Sequence, residues 1–198
     1  MKKVFIFIVG LFIYNGVDAQ NCHGSKEFTA FASDKEFVSK HETPKEIVLN
    51  DTLGKMIEIP VEGGAPAKAY FIPSAKKSDE YLFLFHEWWG LNDYVKKEGL
   101  TAWQELGDVN IIALDLYDGK VTDNPEEAGK LMQGADVTRI NQIINSGFKY
   151  VGKKAKIAVS GWCFGGGWSL QAAIAGNKQV KACVMYYGMP EKDQKRLA

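Results

Sequence analysis

The stretch KIAVSGWCFGGG, residues 156–167, decides the fold. Lys156 to Gly161 reads as a buried strand, and the chain then passes through glycines into a second apolar stretch. A helix is expected from about Phe164 to Ala175, with Gly176 at its end. A strand running directly into a helix is one half of a βαβ unit, so the sheet should be mainly parallel. Gly161 and Gly165 stand two residues before and two after Cys163. That spacing suits a sharp strand-to-helix turn that presents one side chain, because the flanking positions tolerate no bulk. Cys163 at a helix N-terminus would also have its thiolate favoured by the dipole and free N–H groups. The same residues are compatible with a phosphate-binding glycine turn, or with a tight turn around a buried cysteine.

Upstream, strands and helices alternate. Lys55 to Val61 and Ala67 to Ile72 flank Glu62-Gly63-Gly64-Ala65, a hairpin signal. Tyr81 to Phe85 (YLFLF) is apolar on both faces, as a central parallel strand must be. Asn92 or Asp93 can start a helix that Gly107 stops, and Asn110 to Leu116 is the next buried strand. Asn124-Pro125-Glu126-Glu127 opens another helix. Gly134 interrupts it, and Asp136 restarts one with Ile140, Ile143, Ile144, Phe148 and Val151 on one face. Val180 to Tyr187 is a last strand, in which Cys183 is expected to be core.

The composition excludes several classes. The 198 residues carry 24 Lys+Arg against 24 Asp+Glu, so there is no basic excess for nucleic acid and no acidic tail. Three cysteines do not make a disulfide scaffold. Neither CxxC nor HExxH occurs, so a structural zinc or a metalloprotease site has no support, and no cofactor is expected. The chain starts with Lys2 and Lys3, followed by an apolar run from Val4 to Tyr14 and by Val17-Asp18-Ala19. This is the layout of a signal peptide cleaved after Ala19, and the run is too short to span a bilayer. Residues 20–52 are read as an N-terminal segment packed on the main domain through Phe28, Phe31 or Phe37, and 53–198 as that domain. Export, to a periplasm or outside the cell, and no stable membrane association after cleavage are the expectations.

A second motif lies after the central strand, which should neighbour the strand that leads into Cys163: His86-Glu87-Trp88-Trp89-Gly90-Leu91-Asn92. Taken with DLYDGK (115–120), GWCFGGG (161–167) and MYYGMPE (185–191), it gives four ordered blocks that resemble the dienelactone hydrolase family. The resemblance covers about Gly54 to Glu191. It implies an α/β-hydrolase-like three-layer sandwich with a mainly parallel central sheet, and hydrolysis of an ester, lactone or related acyl bond. It implies Cys163 as nucleophile and Glu87 as the carboxylate that meets the thiol and influences its protonation. It implies the N–H groups of Trp88 and Phe164 as the oxyanion hole. Glu87 as a loop carboxylate capping a backbone N–H is the alternative.

The pattern also breaks. The family's triad runs Cys, Asp, His, yet no histidine follows Cys163; the three are His23, His41 and His86. The expectation is that the triad Asp and His, with the last strands, lie beyond Ala198, so that these residues alone are expected to be nearly inactive; a short natural member is the other reading. His86 could stand in as base, or brace the oxyanion loop by a hydrogen bond. Where relatives that hydrolyse dienelactone carry an Arg, this chain has Asp118-Gly119-Lys120, and Lys120 is either its substitute or solvated. Two further classes of function compete with the hydrolase: a catalytically incomplete α/β-hydrolase-like binding protein, and a thiol redox protein using Cys163 with Cys22 or Cys183.

Overall fold

A computed structural model describes residues 34–40, 43–50 and 52–197. The signal-peptide reading, Phe28 and Phe31 fall outside them. The elements are α1 (Lys35–Lys40), β1 (Lys55–Ile59), β2 (Ala67–Ile72), β3 (Glu80–Phe85), α2 (Asp93–Leu106) and β4 (Asn110–Leu114). They continue with α3 (Pro125–Gln133), α4 (Val137–Val151), β5 (Lys156–Trp162), α5 (Phe164–Gly176), β6 (Val180–Tyr186) and α6 (Gln194–Leu197). The strands form one mixed sheet in the order β1-β2-β4-β3-β5-β6. β1 and β2 are an antiparallel hairpin, and β2 runs antiparallel to β4; every other pairing is parallel.

Both faces of the central strands are covered, and the alternation of side chains shows how. Leu82, Leu84, Ile111 and Ala113 join Ile72 and Tyr70 against Val95 and Trp103 of α2. Phe83, Phe85, Ile112 and Leu114 point the other way, onto Met132 of α3, Ile140, Ile143 and Ile144 of α4, and Trp168 and Ala172 of α5. The helices begin where the sequence offers caps. Asn92 accepts from the Val95 N–H, Asn124 from those of Glu126 and Glu127, and Asp136 from that of Thr138. The strand expected to run to Leu116 ends at Leu114, because Asp115 turns its carboxylate onto the Tyr117 N–H at 3.0 Å. Of the expected anchors, Phe37 packs edge-on to Trp88 at 5.5 Å.

One expectation is wrong. Cys183 is not core: it is an exposed free thiol, and most of β6 is exposed with it. β6 is the last strand of the sheet, and among the described residues nothing flanks its outer edge. Apolar composition reported a strand but not its place in the strand order. No helix of the described residues is long and apolar enough to cross a membrane.

Candidate active site

β3 and β5 are parallel neighbours whose ends, Phe85 and Gly161, stand opposite each other. The His86–Asn92 loop and the Cys163 turn therefore leave the sheet side by side, as the sequence blocks imply. Cys163 has φ 54° and ψ −119°, a conformation sparsely used by side-chain-bearing residues. It is held there from both sides. Its N–H donates to the Tyr186 carbonyl at 3.0 Å, and its carbonyl accepts from the Gly167 N–H at 3.2 Å.

The glycines have a steric reason. A Cβ on Gly161 would lie 2.3 Å from the Gly165 carbonyl oxygen. One on Gly165 would lie 2.2 Å from the carbonyl oxygen of Phe85 and 2.3 Å from that of His86. The first turn of α5 thus rests directly on the backbone at the end of β3, which sets the elbow against the His86–Asn92 loop. Gly188 plays the same part behind, where a Cβ would meet the Gly166 carbonyl carbon at 2.5 Å.

Cys163 itself is only 3% exposed. Burial pushes its thiol up to about 12; a hydrogen bond from the Phe164 N–H opposes this, and the Glu87 charge adds to it. The expected lowering by the helix N-terminus is therefore overturned: loss of water outweighs one backbone N–H. Glu87 accepts a hydrogen bond from the Tyr187 hydroxyl at 2.5 Å. Burial, that bond to Glu87, and the charges of Glu87 and Cys163 all raise the Tyr187 phenol. Tyr187 itself sits at φ 40°, another uncommon backbone geometry.

Glu87 and Tyr187 open on a cleft of about 460 Å³ lined also by Trp89, Tyr94, Glu98 and Trp162; Cys163 lies beneath its wall, next to Trp162 in the chain, and does not itself line it. Trp162 stacks on Tyr186 with ring centroids 5.7 Å apart. Trp88 is fully buried, with its ring 4.9 Å from that of Trp89, so Trp89 rather than Trp88 walls the cleft. Lys120 lies elsewhere. It is exposed and lines a separate hollow with Asp118 and Arg139, so the side chain after the DLY block does not face this cleft.

His86 is fully buried and cannot serve Cys163 as a base. Its Nε2 accepts the Leu116 N–H at 3.0 Å, and its Nδ1 lies 2.6 Å from the Glu87 carbonyl oxygen. A backbone N–H can only donate, so Nε2 carries no proton and Nδ1–H is the donor to Glu87. Burial lowers His86 to about 4, against the opposing pull of the Glu87 carbonyl. The bracing role is the one its contacts fit.

Sequence reading missed two tyrosines. Tyr187 lies inside the MYYGMPE block, but nothing in that block says that its hydroxyl reaches Glu87. Tyr117 is buried with its ring 4.8 Å from that of His86 and 5.3 Å from that of Phe164, and its hydroxyl makes no hydrogen bond among the described residues.

A mixed sheet covered by helices, with a strained residue at the β5–α5 turn beside the β3 loop, defines an α/β-hydrolase-like protein. The chain belongs to the dienelactone hydrolase family, whose model matches residues 68–198. It is 29% identical over 152 residues to "Putative carboxymethylenebutenolidase" of Aquifex aeolicus, covering 72% of this chain and 64% of that protein. It is 32% identical over 151 residues to "Protein usf" of Aquifex pyrophilus, covering 70% of this chain and 63% of that one. The chain therefore spans just under two thirds of the length of these relatives. The crystal structure of "Putative Dienelactone Hydrolase" from Klebsiella pneumoniae matches with a TM-score of 0.59 at 21% identity, over 73% of this chain and 64% of that one; this is a likeness of fold.

Proposed function

We propose that the protein is a carboxylic ester hydrolase that cleaves an ester, lactone or related acyl bond of a small molecule through Cys163. The observation that carries this is the Cys163 backbone at φ 54°, held on a glycine-flanked turn that rests on the backbone of Phe85 and His86, with the Glu87 charge near enough to act on the thiol. In this reading the thiol proton passes to Glu87 as sulfur attacks the carbonyl carbon. The oxyanion is held by the Phe164 and Trp88 N–H groups, the alkoxide leaves with the proton, and water then releases the acid from the thioester. A thiol with a pKa of about 12 is inert at rest, so proton removal is coupled to attack. The Trp89, Trp162 and Tyr187 walls suit an apolar acyl or alkoxy group. The protein is proposed to act after export, without metal, cofactor or nucleic acid.

Hydrolysis of p-nitrophenyl acetate tests this. Cys163→Ala should abolish it, and activity that survives the substitution would refute the nucleophile. A second reading is favoured by the two hydrogen bonds of His86, which leave no described histidine able to serve as base. It is a binding protein that keeps the elbow without turnover. It predicts saturable binding of an ester with no acid product, whereas the hydrolase reading predicts p-nitrophenolate release.

A further inference from the structure

We infer that His86 is a positioning residue that sets the orientation of the Glu87–Trp88 peptide, and through it one of the two oxyanion donors. The inference rests on the acyl-transfer reading for its catalytic meaning, but not for its geometry. The carbonyl of Glu87 and the N–H of Trp88 belong to one trans peptide unit, so they point in opposite directions. His86 Nδ1–H grips that carbonyl at 2.6 Å. Holding the oxygen toward the imidazole turns the Trp88 N–H away from it. The same carbonyl also accepts the Gly90 N–H, at the longer distance of 3.4 Å, so the imidazole supplies the shorter of two bonds that keep the peptide from flipping; the flipped form would offer a carbonyl where a donor is needed.

The imidazole is itself over-determined. The Leu116 N–H, just past β4, donates to Nε2 at 3.0 Å and so fixes the tautomer with the proton on Nδ1. The ring is wedged between Tyr117, 4.8 Å away edge-on, and Phe164, 6.4 Å away and near-parallel. Phe164 bears the other proposed donor. Behind the ring, the His86 carbonyl oxygen meets α5 where no Cβ fits at Gly165. One side chain therefore connects the loop after β4, the peptide after β3 and the elbow after β5.

Two substitutions separate this role from general packing. In His86→Asn the amide N–H can reach the Glu87 carbonyl as Nδ1–H does, and the bond from Leu116 is lost. In His86→Gln the amide oxygen can accept from Leu116, and the grip on Glu87 is lost. With p-nitrophenyl acetate, His86→Gln should lower kcat by about 10²-fold at little changed KM, the loss typical of one oxyanion donor. His86→Asn should stay within about threefold of the parent. The second readout needs no turnover: in ¹H–¹⁵N spectra the Trp88 amide resonance should move in His86→Gln and stay in His86→Asn. Equal effects of the two substitutions, or none from either, on that resonance would overturn the inference. If Cys163→Ala retains turnover, the hydrolase reading fails; whether or not the parent turns over, the Trp88 resonance judges the geometry.

Discussion

Acid should destabilise this protein in large part through one imidazole. His86 is fully buried, uncharged and bonded at both nitrogens, and its folded pKa of about 4 compares with 6.5 when free. Below pH 6.5 the unfolded chain takes up a proton that the native state refuses, so the sign follows. His86's contribution to stability is complete above 6.5 and is lost as pH falls toward 4. The gap of 6.5 against about 4 corresponds, at 1.36 kcal/mol per unit, to about 3 kcal/mol. That is a large part of the ~5–15 kcal/mol of an ordinary domain. Asp115 works the other way, since burial raises its carboxyl and acid favours its folded form. The total slope therefore mixes several groups, and a comparison isolates His86. Urea unfolding of the parent and of His86→Asn would be measured at pH 7, 6, 5 and 4.5. The parent should lose stability relative to the variant by about 1.4 kcal/mol for each pH unit well below 6.5. The same pH dependence in both proteins would refute the argument that His86 is neutral and trapped.

Four other outcomes are expected. Gly165→Ala should destabilise the fold by about 3 kcal/mol or more, since its Cβ meets two backbone oxygens that cannot move aside; thermal unfolding measures this. Gly63→Ala, at φ 71° with open space around it, should cost only about 1 kcal/mol in the same assay. Brief iodoacetamide treatment of the native protein should label exposed Cys183 before Cys163, as read by peptide mass spectrometry; the reverse order would contradict the burial of Cys163. Arg139 donates to both oxygens of Asp118 and to the carbonyls of Ala65 and Pro66, so Arg139→Met should cost about 2 kcal/mol in urea unfolding.

The parts of the fold that were legible are those in which each residue's neighbours in sequence decide its state. The caps at Asn92, Asn124 and Asp136, the stop at Gly107 and the two-faced strand YLFLF act over a few residues, and all appear where periodicity and capping chemistry put them. The pairing of β3 with β5 followed from the family blocks rather than from any local signal. Cys183 was misjudged because exposure depends on strand order, which composition does not encode. At the candidate site, the strained backbone setting of Cys163 was readable from its glycines. Its protonation was not, because it is decided by burial beneath groups far off in the chain. The Tyr187–Glu87 bond and the His86–Leu116 bond were hidden for the same reason: each joins loops that meet only once the sheet is built.

The buried elbow also bears on oxidative damage. Peroxide attacks cysteine as the thiolate, and a thiol with a pKa of about 12 is ionised in only about one molecule in 10⁵ at neutral pH. In a peroxide-rich setting a thiol held protonated in this way reacts slowly. Cys163 would survive until the fold opened, so the packing that keeps this sulfur unreactive at rest also preserves it.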